Sequence, residues 1–79
     1  MFYYEYKTRR GPVRIIPNVK TGYYEVIYDN EGLGSYNSPM MAADDVGLNA
    51  TFSPSNGADF EALGVPYDLA EWDKHPLAR

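Results

Sequence analysis

Cysteine is absent from this chain, and between Lys20 and Lys74 there is no lysine, arginine or histidine. The first absence excludes disulfides, thiolate metal sites and thiol nucleophiles, and it fits a reducing compartment. The second leaves ten carboxylates uninterrupted: Glu25, Asp29, Glu31, Asp44, Asp45, Asp59, Glu61, Asp68, Glu71 and Asp73. No apolar stretch approaches the ~20 residues that span a bilayer. The opening Met-Phe-Tyr-Tyr-Glu-Tyr-Lys has no basic segment followed by an apolar run, so no secretory leader is expected. The Asn49-Ala50-Thr51 sequon is therefore expected to carry no glycan. A Gly-rich phosphate loop is missing as well, since Gly32-Leu33-Gly34 is too short and lacks a following lysine.

The chain does hold charge segregated along its length. Lys7, Arg9, Arg10, Arg14 and Lys20 fall in the first twenty positions against a single acid there, Glu5. A short basic head thus precedes a long acidic body, with a formal net charge of −4. That balance disfavours nucleic acid and anionic membrane as partners of the body and favours a basic protein surface. Eight tyrosines give the chain its hydrophobic content. Each has an apolar ring and a polar tip, suited to half-buried sheet faces and interfaces. At 79 residues the chain makes one domain. A chain of that size buries only about 60% of its unfolded surface.

Period-2 alternation predicts strands at Phe2–Lys7, at Val13–Val19 and at Tyr23–Tyr28, with a short return strand at Leu33–Tyr36. Pro17 has no amide hydrogen for a ladder and suggests an edge position or a bulge. Asp29-Asn30-Glu31-Gly32 reads as a hairpin loop. Its resemblance to a calcium loop fails because position 38, where the glutamate belongs, is serine. Ser38-Pro39 is a helix start: serine caps free amides, and proline at the first helical position loses no hydrogen bond. The helix is expected over 38–49, with Met40, Ala43 and Gly47 on its inward stripe. Residues 50–73 read as loop and short helices laid over the sheet with Trp72 as anchor, and 74–79 as a frayed tail. The expected fold class is α+β: a three- or four-stranded antiparallel meander, one helix on a face and a C-terminal wrap.

Catalytic chemistry finds little footing. His75 is the lone histidine, beside Pro76 in a segment expected to be mobile, with little to hold a general base in place. Asp44 and Asp45 could act as paired carboxylates, but that chemistry needs a deep pocket that shifts one pKa. The expectation is no catalytic residue, no metal and no cofactor.

The stretch Tyr36-Asn37-Ser38-Pro39-Met40-Met41-Ala42-Ala43-Asp44-Asp45-Val46, with Pro66-Tyr67-Asp68-Leu69-Ala70-Glu71-Trp72, resembles a set of small uncharacterised bacterial and phage proteins. Those share a Tyr-rich strand, a Ser-Pro-x-x-Ala-Ala-Asp-Asp-Val helix start and a closing Pro-x-Asp-Leu-x-Glu-Trp. The resemblance covers residues 33–46 and 66–72, and residues 47–65 depart from it. It implies a prokaryotic or viral setting and brings no activity. In size and charge alone the chain is also similar to phage-encoded inhibitors of the anti-CRISPR type, some of which place carboxylates where phosphates would sit.

These features point to a non-enzymatic protein–protein interaction module in the cytoplasm of a bacterial or phage-infected cell. In its sharper form the module mimics nucleic acid and blocks a DNA- or RNA-binding complex such as a CRISPR effector. Asp29, Glu31, Asp44, Asp45, Asp59 and Glu61 are the acidic contact candidates, and Tyr23, Tyr36, Tyr67 and Trp72 the aromatic anchors. Two alternatives stay open. One is an oligomeric accessory protein, such as a homodimer, joined through its tyrosine faces. The other is nucleic-acid binding by a basic patch of Lys7, Arg9, Arg10 and Arg14 interleaved with Tyr3, Tyr4 and Tyr6.

Overall fold

The computed structural model describes residues 1–77. Five strands form one antiparallel sheet: β1 (Phe2–Thr8), β2 (Gly11–Pro17), β3 (Tyr24–Tyr28), β4 (Glu31–Tyr36) and β5 (Asp73–Pro76). Their order across the sheet is β4-β3-β2-β1-β5. One helix, α1 (Pro39–Gly47), and a 3-10 turn at Leu69–Glu71 complete the regular structure. The α+β class and the single face-packed helix agree with expectation, but the meander gains a fifth strand.

That strand corrects the frayed tail. Residues 74–76 pair with β1, matching Phe2 with Pro76, Tyr3 with His75 and Tyr4 with Lys74. Ala78 and Arg79, the rest of that expected tail, lie outside the described residues. Pro17 also needs correction. β2 is interior, between β1 and β3, and Pro17 is its last residue, so the missing amide falls where the ladder ends.

Local chemistry explains each turn. Asp29 and Asn30 have φ of 54° and 61°, and Tyr28 pairs with Glu31 across them. Two positive φ values make the two-residue type I′ hairpin, whose twist matches that of the strands. In β4 the register shifts between Val26 and Ile27, leaving Leu33 as an extra residue between Gly32 and Gly34. This bulge puts the Leu33 side chain in the core.

α1 starts as its capping residues require. Ser38 Oγ accepts the Met41 amide at 3.2 Å. At the other end Asn49 adopts φ 58°. Its amide donates to the Val46 carbonyl, and the Ala50 amide donates to that of Asp45. This is a Schellman ending with asparagine in the left-handed position.

The inward face of α1 consists of Ala42, Ala43, Val46 and Gly47. Met40, expected inside, is 67% exposed, and Met41 and Leu48 are exposed too. Small residues let the helix sit close to Val13, Ile15, Val26, Tyr28 and Leu33 of the sheet. The remaining cover comes from irregular chain: Ala58, Phe60, Val65 and Trp72. Phe60 meets Tyr28 edge to face, ring centroids 5.2 Å apart. Trp72 Nε1 donates to the Pro66 carbonyl at 2.9 Å.

Gly47 is where α1 meets the C-terminal segment. A Cβ built there would lie 2.4 Å from both the N and Cα of Tyr67. In an exposed helix interior, glycine to alanine stabilises by about 1 kcal/mol. Here Gly47→Ala is expected to destabilise by about 1–3 kcal/mol, because the chain at Tyr67 must move. Urea denaturation of the variant checks the sign; a gain in stability would mean the two segments do not approach this closely.

Candidate functional site

The two sheet faces differ in kind. On the outer face, away from α1, cross-strand partners form the row Asp73, Glu5, Arg14, Ile27. Tyr3 pairs with His75 alongside it. Glu5 is only 7% exposed. Its Oε2 accepts the Arg14 Nε–H at 2.7 Å. A carboxylate so buried is stabilised by such a charge-assisted bond and would be costly to leave alone. His75 stacks on Tyr3 with ring centroids 5.1 Å apart. Its Nε2 lies 3.7 Å from Glu5 Oε1, beyond hydrogen-bond distance. The histidine is therefore held in a strand by a ring stack and a nearby carboxylate, correcting the expectation that little restrains it. Sequence reading missed this cluster because Glu5 and His75 meet only through β5.

The tyrosines of β1 divide between the two faces. Tyr4 and Tyr6 turn inward and pack against the core, with Tyr6 6.0 Å from the Trp72 ring. Tyr3 alone is outside, against His75.

The basic patch is dispersed. Arg14 is engaged by Glu5. Arg10 Nη2 donates to the Asn56 carbonyl at 3.3 Å. Lys7 and Arg9 are exposed near the β1–β2 turn.

The acidic candidates divide into engaged and outward groups. Glu31 accepts the Ser55 amide at 2.8 Å and the Ser55 hydroxyl at 2.7 Å. These bonds, the backbone one foremost, hold its carboxyl below the usual carboxylate range. Asp59 Oδ1 accepts the Ala62 amide at 3.1 Å. Asp45 takes the Tyr36 hydroxyl, and burial together with the Asp45 bond and charge pushes that phenol up to about 12. Asp29, Asp44 and Glu61 are exposed.

Of the aromatic anchors, Trp72 is 5% exposed and belongs to the core, so it is not a free anchor for a partner. Tyr36 is half-buried with its hydroxyl on Asp45. Tyr23 and Tyr67 are outward.

One concave surface stands out. A groove of about 600 Å³ is lined by Tyr4, Met40, Tyr67, Leu69, Ala70 and Trp72, with Asp68 and Lys74 as its charged members. It opens where α1, which packs chiefly on β2, β3 and β4, stops short of β1 and β5. Met40 and Tyr67 are 67% and 62% exposed. Asp44 follows Met40 by four residues and so shares its helix face. Lys74 Nζ lies 4.2 Å from the centroid of the Phe2 ring, a cation–π contact beside the groove. Tyr67 and Trp72 are legible in the sequence as candidates but Tyr4, Met40 and Leu69 are not; two methionines in the first turn of a helix whose inward face is small were the available signal.

Among the described residues no cluster of three or more His, Asp or Glu could hold a metal, and no helix is long and apolar enough to cross a membrane. No protein-family model, curated protein or solved structure matches the chain.

The two displaced groups have opposite acid–base consequences. A depressed carboxylate contributes stability that is present above its ordinary pKa and lost as pH falls through its lower folded value. Acidification below the usual carboxylate range is therefore expected to release Ser55 from Glu31, read as loss of the downfield-shifted Ser55 amide, and Glu31→Gln to remove that acid dependence. A raised phenol contributes stability that is complete below its ordinary value and lost as pH rises through the folded one. Stability is expected to fall as pH rises from 10.0 toward about 12, and Tyr36→Phe to flatten that loss in alkaline denaturation curves.

Proposed function

We propose that this chain is a non-enzymatic protein–protein interaction module, and that its contact surface is the acidic, apolar face around Met40 and Tyr67. The observation carrying this reading is the pairing of exposed large side chains with carboxylates on one concave surface. Met40 and Tyr67 line the groove with Asp68, and Asp44 lies one helical turn from Met40. Interfaces gather their energy in such aromatic and methionine anchors, while the surrounding charges select the partner and speed encounter.

The partner is a protein with a lysine- and arginine-rich surface. The sharper version is mimicry: the carboxylates occupy a channel made for phosphates and block a DNA- or RNA-binding complex in a bacterial or phage-infected cell. The long acidic run and the resemblance of residues 33–46 and 66–72 to small bacterial and phage proteins support that setting. Binding of nucleic acid by the basic head has weaker support, because Arg14 and Arg10 are engaged within the chain.

Asp44→Lys with Asp68→Asn tests the charge, since both positions are exposed and asparagine keeps the oxygen that accepts the Ala70 amide. The tagged chain is expected to recover a nucleic-acid-binding complex from bacterial lysate at low salt. Recovery should fall with added salt as screening shortens below about 8 Å. The double variant should lose recovery while keeping its far-ultraviolet circular dichroism. Equal recovery by the variant removes this face as the contact.

A further inference from the structure

The groove's surroundings narrow what can fill it. A strand added at the neighbouring edge is disfavoured by β5 itself. The Leu77 amide donates to the Met1 carbonyl at 2.9 Å, which continues the ladder in which Tyr3 pairs with His75 and Glu5 with Asp73. In such a ladder alternate residues turn their amides toward the partner strand. Asp73 and His75 thus face β1, and Lys74 and Pro76 face outward. Pro76 has no N–H, so among the described residues of this edge the outward donor is that of Lys74. A lysine and a proline on a strand of four residues are the devices by which sheets refuse added strands.

The layer above the sheet is also incomplete. α1 lies chiefly over β2, β3 and β4. Over β1 and β5 the inner face carries Tyr4 and Lys74 as cross-strand partners, beside Phe2, which is 47% exposed. An apolar sheet face is closed by a second layer, and in a sheet already carrying one helix the complementary piece is a helix beside it. Asp68 lines the groove and Asp44 flanks Met40, so the rim is acidic on the α1 side.

We infer that the groove receives an amphipathic α-helix from a protein partner. Its apolar stripe lies on Tyr4, Met40, Tyr67 and Leu69, and its lysine or arginine flank meets Asp44 and Asp68. This rests on the reading of the chain as an interaction module and specifies the partner's element. It is the helix-in-groove mode, in which side chains at i, i+3, i+4 and i+7 serve as anchors.

The test uses three synthetic peptides against the isotope-labelled full chain: a Leu/Lys amphipathic helix, the same pattern in Leu/Glu, and the Leu/Lys peptide broken by a central proline. The Leu/Lys peptide is expected to bind, gain helicity and shift the amides of Tyr4, Met40, Leu69, Trp72 and Lys74. The Leu/Glu and proline-broken peptides are expected to bind at least about tenfold more weakly. Met40→Ser, which removes an anchor, and Ala70→Trp, which fills the groove, should each weaken the Leu/Lys peptide by a similar factor. Both positions are exposed, so the fold should survive either change. The proposal is overturned by equal binding of the proline-broken or Leu/Glu peptide, by absence of binding, or by shifts confined to Tyr3, Ile16 and Ile27 on the outer face. It also falls if both groove variants recover the lysate complex as the native chain does while Asp44→Lys with Asp68→Asn does not. In that case the acidic contact stands and the helix assignment alone fails.

Discussion

The close approach of one short helix to the sheet governs the rest of this molecule. α1 has nine residues, and its inward face is alanine, valine and glycine. It can cover only part of the inner sheet face, and at its C-terminal end the chain at Tyr67 lies against Gly47 without room for a methyl group. The remaining core therefore has to be closed by residues outside regular elements. Phe60, Val65 and Trp72 do this, each fixed by a specific bond or ring contact. The Asn49 side chain accepts the Phe60 amide, the Phe60 carbonyl accepts that of Val65, and the Trp72 indole is tied to Pro66. The groove is what such a cover leaves open. Helix length, irregular wrap and exposed Met40 and Tyr67 are thus one geometric fact.

Charge follows the same economy of surface. The sequence suggests a basic head opposing an acidic body, but two of the head's cations are engaged within the chain. Arg14 lies beside Glu5 on adjacent strands, and Arg10 reaches the Asn56 carbonyl. The Tyr28 hydroxyl joins those two regions, donating to the Arg10 carbonyl and accepting from Asn56 Nδ2, both at 3.1 Å. On the acidic side, several carboxylates hold loops in place: Glu31 orders Ser55, Asp59 the turn before Leu63, and Asp68 the 3-10 turn through Ala70. Only a subset of the long acidic run faces outward without such work, and Asp44 is its member nearest the groove's methionine.

What was legible in the sequence was what local chemistry dictates. Strands β1 to β4 alternate with period two, and α1 announces itself through Ser38 and Pro39. β5 was illegible for a physical reason. Asp-Lys-His-Pro has no apolar alternation and a poor strand propensity, and it is extended because β1 offers a ladder some seventy positions earlier in the chain. The inward stripe of α1 was misread in the same way. Met40 is the larger hydrophobe, yet close packing favoured the small residues and turned it outward. Pro17 suggests an edge for the whole strand, but only its position at the strand's end matters. The candidate site was half visible: Tyr67 and Asp44 could be singled out, but their sharing of a surface with Tyr4 and Leu69 depends on non-local packing.

The pairing of β5 with β1 also sets a timetable. β1 precedes the other described elements in the chain, whereas its outer partner follows them all. Until Asp73–Pro76 emerges, Glu5 lacks its neighbour on that side, and Tyr6 lacks the indole it packs against. Closing so long a loop is entropically costly and is repaid only when the last segment docks. Until β5 docks, the first strand's aromatic face is thus left without its final cover, and a partly folded chain exposes it.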